Sequence, residues 1–415
     1  MVVVFTEYTT PRLVYVLDFI FKSKGTDYHI TTSIEEFKKI DSIKINYSNV
    51  KLHADFQIFP QGIIQESQIK NNYELTFLND KWTINQQNDD FAVIFYFLSR
   101  YEEYVIKQRD KHDRFSAQDS FIFKNNRLHK PNVDIIVKSI WAILKLDYSI
   151  VKHQFKTIIT FDIDSAWAIK NKGFFRSLLS DIKDLTKGRC IRDKFMVRLN
   201  KINDPFDTFS IIKNTAKTNK VICFFLMANW GKYDKNIHWK NKSFQSLIKN
   251  LSESCEIGIH PSYQSYLKPK IIQKEIKRLS DILNYKVFNS RQHFLKLTLP
   301  QTYQQLVELG ITDDYTMGFA DGYGFRAGTS FSFPFFDLSK NEITSLRLHP
   351  ITYMDGTLNE YLKLNISEAI KVVYQLKKEV QNVGGLFIPL WHNETLNNKG
   401  KWQGWLSVFE ANLHT

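Results

Sequence analysis

The chain has 415 residues, 43% of them hydrophobic and 14% aromatic, enough apolar matter for a sizeable core and for two domains rather than one. Lys and Arg number 56 against 43 Asp and Glu, a formal charge of +13 that would suit nucleic acid, an anionic membrane surface or an acidic glycan. The basic residues are scattered lysines mixed with Asn and Glu, without a long basic run or a nucleic-acid module. Solvated faces are therefore favoured, nucleic acid is not expected as a partner, and peripheral contact with an anionic surface stays open.

The opening segment, MVVVFTEYTTPRLVYVLDFIF, is interrupted by Glu7, Arg12 and Asp18 and has no basic leader or cleavage-like site, so it reads as mature structure. The longest other apolar run, Phe91 to Leu98, is far short of the ~20 residues of a membrane helix, and no transmembrane segment is expected. Cys190, Cys223 and Cys255 form no CxxC pair and no disulfide framework, which favours a reducing compartment and a cytoplasmic protein. Residues 1–150 mix short strands with helices and read as a smaller α+β domain. Ser33 and Glu36 fit a capping box, and FAVIFYFLSRYEEYV fits a buried helix entered from NDD. The segments Ser99 to Tyr104 and Asp110 to Phe115 are dense in charge and aromatic rings, a pattern that favours an interdomain ion-pair network over a site.

From Lys156 the texture changes to short apolar runs that end in polar residues and are separated by stretches long enough for helices. The runs are KTIITFDID, KVICFFLMANW, CEIGIHPS, KVFNSRQHF, GITDDYT, SLRLHPIT and GLFIPLWHNE. This alternation predicts an α/β domain over residues 151–415, a distorted (β/α) barrel of about seven strands, with a doubly wound open sheet as the second choice. In such barrels functional groups gather at the carboxyl ends of the strands. Asp162 and Asp164, Asn229, His260, Arg291 and His293, Asp313 and Asp314, His349 and His392 fall there.

Asp162 and Asp164 are two apart, so in a straight strand both carboxylates face one side, close enough to share a cation. An isolated pair of this kind favours strand-end caps or salt-bridge acceptors. His260 and His392, ending two other strands, shift the balance, because carboxylate and imidazole together are ligands that zinc or a similar divalent ion uses.

The order TFDID, GIHPSYQS, SRQHF, LWHNE resembles the ordered motifs of the polysaccharide deacetylase superfamily, metal-dependent carbohydrate esterases, over roughly Thr157 to Glu394. The segment SRYEEY to DKHDRF also looks like the domain that precedes some deacetylase-like proteins. The resemblance implies a distorted barrel, one divalent metal ion, most simply zinc, and an acetylated saccharide as substrate. It implies Asp162 as general base, Asp164 and His260 as metal ligands, Arg291 as the arginine that orients the base, and His392 as the acid that protonates the leaving group. The chain departs from the family's pattern at Gln264, where a second imidazole or a serine usually stands on the next turn of a helix. Ser262, Ser265 and His293 are the neighbours from which a third ligand could come.

Trp391, beside His392, and Tyr263 are candidates for stacking on a sugar face, with Trp167, Trp402 and Trp405 weighed as core. The segment DDYTMGFADGYGFRAGTSFSFPFFD reads as a long loop over the barrel mouth, with Arg326 pinning it or binding substrate. His349 and Asp355 read as structural. The function expected is hydrolytic removal of an acetyl group, an N-acetyl group first, from a saccharide or glycan precursor. The competing expectation is a non-catalytic glycan-binding or assembly protein with an incomplete metal site. A glycoside hydrolase is disfavoured, since two acids on one strand are too close for the carboxylate separation it needs.

Overall fold

A computed structural model describes residues 1–187 and 191–413, the Phe175 side chain excepted. Cys190 lies outside the described residues, while Cys223 and Cys255 are free and buried. The N-terminal region carries β1 (Val2–Thr6), β2 (Tyr28–Thr31), β3 (Ile43–Tyr47) and β4 (Phe56–Ile58) in one sheet of order β2-β1-β3-β4, and a separate hairpin of β5 (Leu75–Leu78) and β6 (Lys81–Ile84). All pairings in the four-stranded sheet are parallel. Helices Pro11–Ile20 and Ile34–Lys39 supply the crossovers from β1 to β2 and from β2 to β3. This region is thus closer to α/β than to the α+β mixture expected; only the hairpin is antiparallel.

Ser33 caps Ile34–Lys39 as expected, by accepting from the Glu36 N–H. The capping box is half formed, because the Glu36 side chain turns back to Thr31 and His29 instead. Asp89 caps the buried helix Asp90–Leu98, which stops short of the Val105 anticipated. Arg100 takes a left-handed conformation (φ 54°), and the chain restarts as Tyr101–Val105. That break aims the Arg100 guanidinium at Glu102 and Glu103, both at 2.8 Å.

The second sheet contains β7 (Lys156–Ile163), β8 (Lys220–Leu226), β9 (Glu256–His260), β10 (Asn289–Ser290), β11 (Asp313–Asp314), β12 (Phe333–Asp337), β13 (Glu342–Leu348), β14 (Tyr353–Met354), β15 (Leu386–Phe387) and β16 (Pro389–His392). Its order is β12-β13-β11-β10-β9-β8-β7-β16-β14, with β15 also on β7. Every pairing is parallel except β12 with β13. The flanking strands β13 and β14 are consecutive in sequence. Between them Ile351 N–H donates to Met317 O at 2.9 Å and Thr352 N–H to Ile388 O at 2.9 Å, so this connection links the two sides of the sheet without a continuous ladder.

Strand periodicity sorts the residues. Ile158, Ile222, Phe224, Tyr315, Ile351, Ile388 and Leu390 pack together in a cluster on one face of the sheet, its inner face. Residues of opposite parity, such as Ile159, Phe161, Cys223, Phe225 and Trp391, join the large core shared with the helices and the N-terminal region. Gly258 on β9 belongs to the inner set: a Cβ there would meet the Phe224 ring at 2.5 Å. Following the inward parity to the carboxyl ends brings Asp162 and Asp164, His260, Arg291 and His392 to one mouth.

The segment Met317 to Ser332 does not cover that mouth. It is the seam to the N-terminal region, held by backbone bonds from Phe325 N–H to Leu128 O (2.9 Å) and from Val133 N–H to Gly328 O (2.7 Å). At Gly324 (φ 120°) a Cβ would collide with the Leu128 carbonyl, so glycine is required there. Arg326 is buried in the seam, its Nε and Nη2 on Glu103 at 2.9 and 2.6 Å and its Nη1 on Gly318 O at 2.8 Å. Burial favours the neutral acid at Glu103, but Arg326 and Arg100 outweigh it and hold the carboxyl at about 2.

Glu103→Gln is expected to lower stability by about 3–5 kcal/mol in urea unfolding, since two buried guanidinium groups lose their shared counter-charge. The wild-type contribution is complete above the carboxyl's unfolded pKa of about 4.3 and fades as pH falls toward about 2, because the folded value is the depressed one. A loss under about 1 kcal/mol would refute this assignment.

Candidate active site

The carboxyl ends of these strands open into a cleft of about 300 Å³. Asp162, Asp164, His260, His293, His392 and Trp402 line it, together with Arg114 from the N-terminal region. Asp162 ends β7 on its inner face and is 2% exposed; its Oδ1 accepts from Arg291 Nη1 at 2.9 Å. Arg291 is itself immobilised, donating from Nη2 to Thr160 Oγ1 at 2.8 Å and from Nε to Tyr315 O at 3.0 Å, with its guanidinium 4.5 Å from the Phe224 ring centroid. A planar group fixed on three sides leaves Asp162 one orientation, with Oδ2 directed at the cleft, 3.6 Å from His260 Nε2.

Asp164 stands two residues on and is the centre of the arrangement. His260 Nε2 lies 3.2 Å from its Oδ1, and His293 Nε2 3.3 Å from its Oδ2. The tautomers follow from the other ring nitrogens. His260 Nδ1 is 2.5 Å from Arg291 O, which can only accept, and His293 Nδ1 is 2.9 Å from the buried Asp234 carboxylate. Each Nδ1 therefore carries a proton, and each ring turns its Nε2 toward the Asp164 carboxylate.

An imidazole Nε2 set against a carboxylate calls for positive charge between them, a proton on the ring or a cation shared by both. Asp164 Oδ1 is also buried without a hydrogen-bond partner. Burial opposes charge at both groups, yet His293 and then His260 hold the Asp164 carboxyl well below the usual range, and Asp164 lifts His293 to about 9. The donor set of one carboxylate and two imidazoles, their ligand atoms all within 4.8 Å of one another, fits a divalent ion.

His293 thus stands as the third candidate donor, and Gln264 lies outside the group. Residues 263–265 form a single 3₁₀ turn, Gln264 is exposed, and its side chain lies over Gly231. A histidine four residues after the first, as in the motif the sequence resembles, needs a helical turn directly after it; here Pro261 and Ser262 are in neither helix nor turn. His293 enters from the next strand, on a turn where Phe294 (φ 63°) and Leu295 (φ 51°) are both left-handed. Arg114 Nη1 caps the Phe294 carbonyl at 3.0 Å, and His112 packs on the Phe294 ring at 5.1 Å, so the DKHDRF segment supports the turn that presents His293.

His392 ends β16, opposite Asp162 in the strand register. Its Nδ1 is 2.8 Å from Asp355 Oδ1, its backbone N–H donates to Asp355 Oδ2 at 2.8 Å, and Thr395 donates to the same oxygen at 2.6 Å. Burial disfavours the imidazolium, but Asp355, with Asp164 and Asp162, keeps His392 protonated well above its ordinary range. Asp355, read from sequence as structural, is therefore the orienting partner of His392. Asp234, whose carboxylate also caps the Tyr263 and Gln264 N–H groups, carried no sequence signal at all.

Other expected site residues lie elsewhere. Trp391 is wholly buried on the outer face, donating to Tyr353 OH at 3.2 Å and packed edge-on to Phe409, so it has no surface to offer a sugar. Trp402 is the tryptophan on the cleft wall. Tyr263 sits beside the cleft in an aromatic group with Tyr233 and Phe294 and does not line it. Arg326, in the seam, reaches no ligand in the cleft. Asp313 pairs with His349 at 2.7 Å, and Asp314 is consumed by Ser290 and Thr316.

Residues 2–149 match a family of unknown function designated DUF7033. No curated protein matches the chain. Solved structures similar to it include a protein designated a polysaccharide deacetylase from Mycobacterium smegmatis, 12% identical, covering 63% of this chain and 83% of its own, with a TM-score of 0.41. A PuuE allantoinase is 9% identical over 63% and 86%, with a TM-score of 0.38. A polysaccharide deacetylase from Bacillus cereus is 11% identical over 62% and 85%, with a TM-score of 0.29. Among the described residues no helix is long and apolar enough to cross a membrane.

Proposed function

We propose that the chain is a metal-dependent hydrolase that removes an acetyl group, N-acetyl before O-acetyl, from a saccharide or glycan precursor. The observation that carries this reading is the convergence of two imidazole Nε2 atoms on the Asp164 carboxylate, with an arginine-held acid on one side and an aspartate-held imidazole on the other. Asp164, His260 and His293 would hold the ion, zinc first by ligand type. When bound, it supplies Lewis acidity toward the acyl oxygen and the attacking water.

The protein's own groups do the rest. Asp162, fixed by Arg291, takes the water's proton through Oδ2. His392, protonated at Nε2 and tethered through Nδ1 to Asp355, donates to the departing nitrogen. Base and acid stand on adjacent strands, Asp162 paired with His392 in register, and His392 Nε2 lies 3.9 Å from Asp164 Oδ2, so both groups reach the same candidate metal position. A cleft of about 300 Å³ admits a unit of sugar size, and the Trp402 ring offers it an apolar wall. The competing reading, a non-catalytic glycan-binding or assembly protein with an incomplete metal site, is the less favoured one, because His293 offers the third donor that Gln264 does not.

Acetate release from N-acetylated oligosaccharides by the full chain, with elemental analysis of bound metal, tests the proposal. One equivalent of metal is expected, with activity falling at least about a hundredfold on chelation and returning with zinc. A chain that binds oligosaccharide, carries no metal and releases no acetate would establish the non-catalytic reading instead.

A further inference from the structure

The connection from β7 to β8 leaves the cleft directly after Asp164 and carries the helix Phe174–Thr186, which is built inside out. None of its described side chains is buried. Its apolar stripe faces solvent: Leu178 is 45% exposed, Leu179 66%, Ile182 48% and Leu185 56%. Its polar face is the one turned to the protein. Asp181 and Asp184 pair with Lys194 and Arg198 of the neighbouring helix Arg192–Arg198, at 2.5–3.5 Å, and Arg176 donates to Asn236 O and Lys235 O.

A helix of a water-soluble domain buries its apolar stripe; here internal ion pairs hold the opposite face inward and fix the stripe outward. The second helix adds Phe195, 57% exposed, and Leu199, 50% exposed. Lys183, Lys187, Arg192 and Lys201 are exposed around this apolar ground, in a chain of formal charge +13. Apolar side chains beside lysines and arginines complement a bilayer surface with anionic headgroups, the apolar groups entering the acyl boundary and the cations meeting phosphate.

We infer that this face is a peripheral docking surface for anionic phospholipid membranes. It follows the cleft closely: Asn393, next to His392, donates to Ser165 O at 3.2 Å, nine residues before the helix begins. Docking stands without the hydrolase reading. Joined to it, the placement assigns a lipid-anchored saccharide as the substrate class, presented to the cleft at the membrane surface.

The test is sedimentation of the full chain, without metal or substrate, with vesicles of phosphatidylcholine alone and of phosphatidylcholine with phosphatidylglycerol, alongside its mass in solution by light scattering. Binding to the anionic vesicles is expected, weakening with salt. Leu179→Glu with Ile182→Glu should lower the bound fraction at least about tenfold at an unchanged melting temperature, since both side chains are exposed. Lys183→Glu with Lys187→Glu should abolish the preference for anionic lipid.

Absence of vesicle binding, or equal binding by the Leu179/Ile182 variant, overturns the inference. A dimer in solution that this variant dissociates assigns the face to a second copy and overturns it as well. None of these readings involves acetate release, so docking and hydrolysis fail separately.

Discussion

Asp162→Asn is expected to lower kcat for acetate release by about 10³-fold or more while leaving bound metal and folding intact. General-base catalysis contributes about 10²–10⁴ in rate, and asparagine keeps the shape and an oxygen for Arg291 but has no basic lone pair to take a proton. The arginine makes the choice of substitution matter. Arg291 is fully buried and donates to Asp162 at 2.9 Å, so Asp162→Ala would leave a buried cation short of its counter-charge and cost about 3–5 kcal/mol of stability, confounding rate with folding. Steady-state kinetics beside elemental analysis decide the matter. If the asparagine variant keeps its metal and hydrolyses as fast as the wild type, Asp162 is not the base; if it loses the metal, Asp162 is a ligand.

How much of this site was readable in the sequence depends on the range of the interactions that make it. Strand ends were legible, because apolar runs that stop in Asp, His or Arg are a local signal, and the two-residue alternation within TFDID puts Asp162 and Asp164 on one face. The same alternation carried an answer about Trp391 that proximity to His392 obscured. If His392 points inward, its neighbour must point outward, and Trp391 does.

Arg326 was illegible for a different reason: its partner Glu103 is 223 residues away, and only the seam between the regions brings them together. Asp234 and Asp355 act through histidines 59 and 37 residues distant, so nothing in the sequence around Asp234 marked it and Asp355 read only as structural. The ion-pair reading of SRYEEY agrees with the buried Arg100, Glu103 and Arg326 group. DKHDRF does more than that reading allowed, since Arg114 reaches the cleft.

His293→Ala is expected to reduce metal affinity at least about a hundredfold, while Gln264→Ala leaves it unchanged. The contrast follows from position. Gln264 occupies the place of the second imidazole in the deacetylase motif that the sequence resembles but is exposed on a 3₁₀ turn, whereas His293 is 5% exposed with Nε2 3.3 Å from Asp164 Oδ2 and Nδ1 held by Asp234. Removing it leaves one carboxylate and one imidazole, too few to hold zinc against a competing chelator, whereas removing only the support behind such a ligand costs about 10–100-fold. Competition titration with a chromogenic zinc chelator reads both variants without any substrate. Equal affinity in the His293 variant and the wild type would mean that the ion, if one is bound, sits elsewhere; a loss confined to the Gln264 variant would restore the family's arrangement. The expected pattern makes the imidazole of the β10 turn, and through Arg114 and His112 the N-terminal region behind it, part of the metal centre.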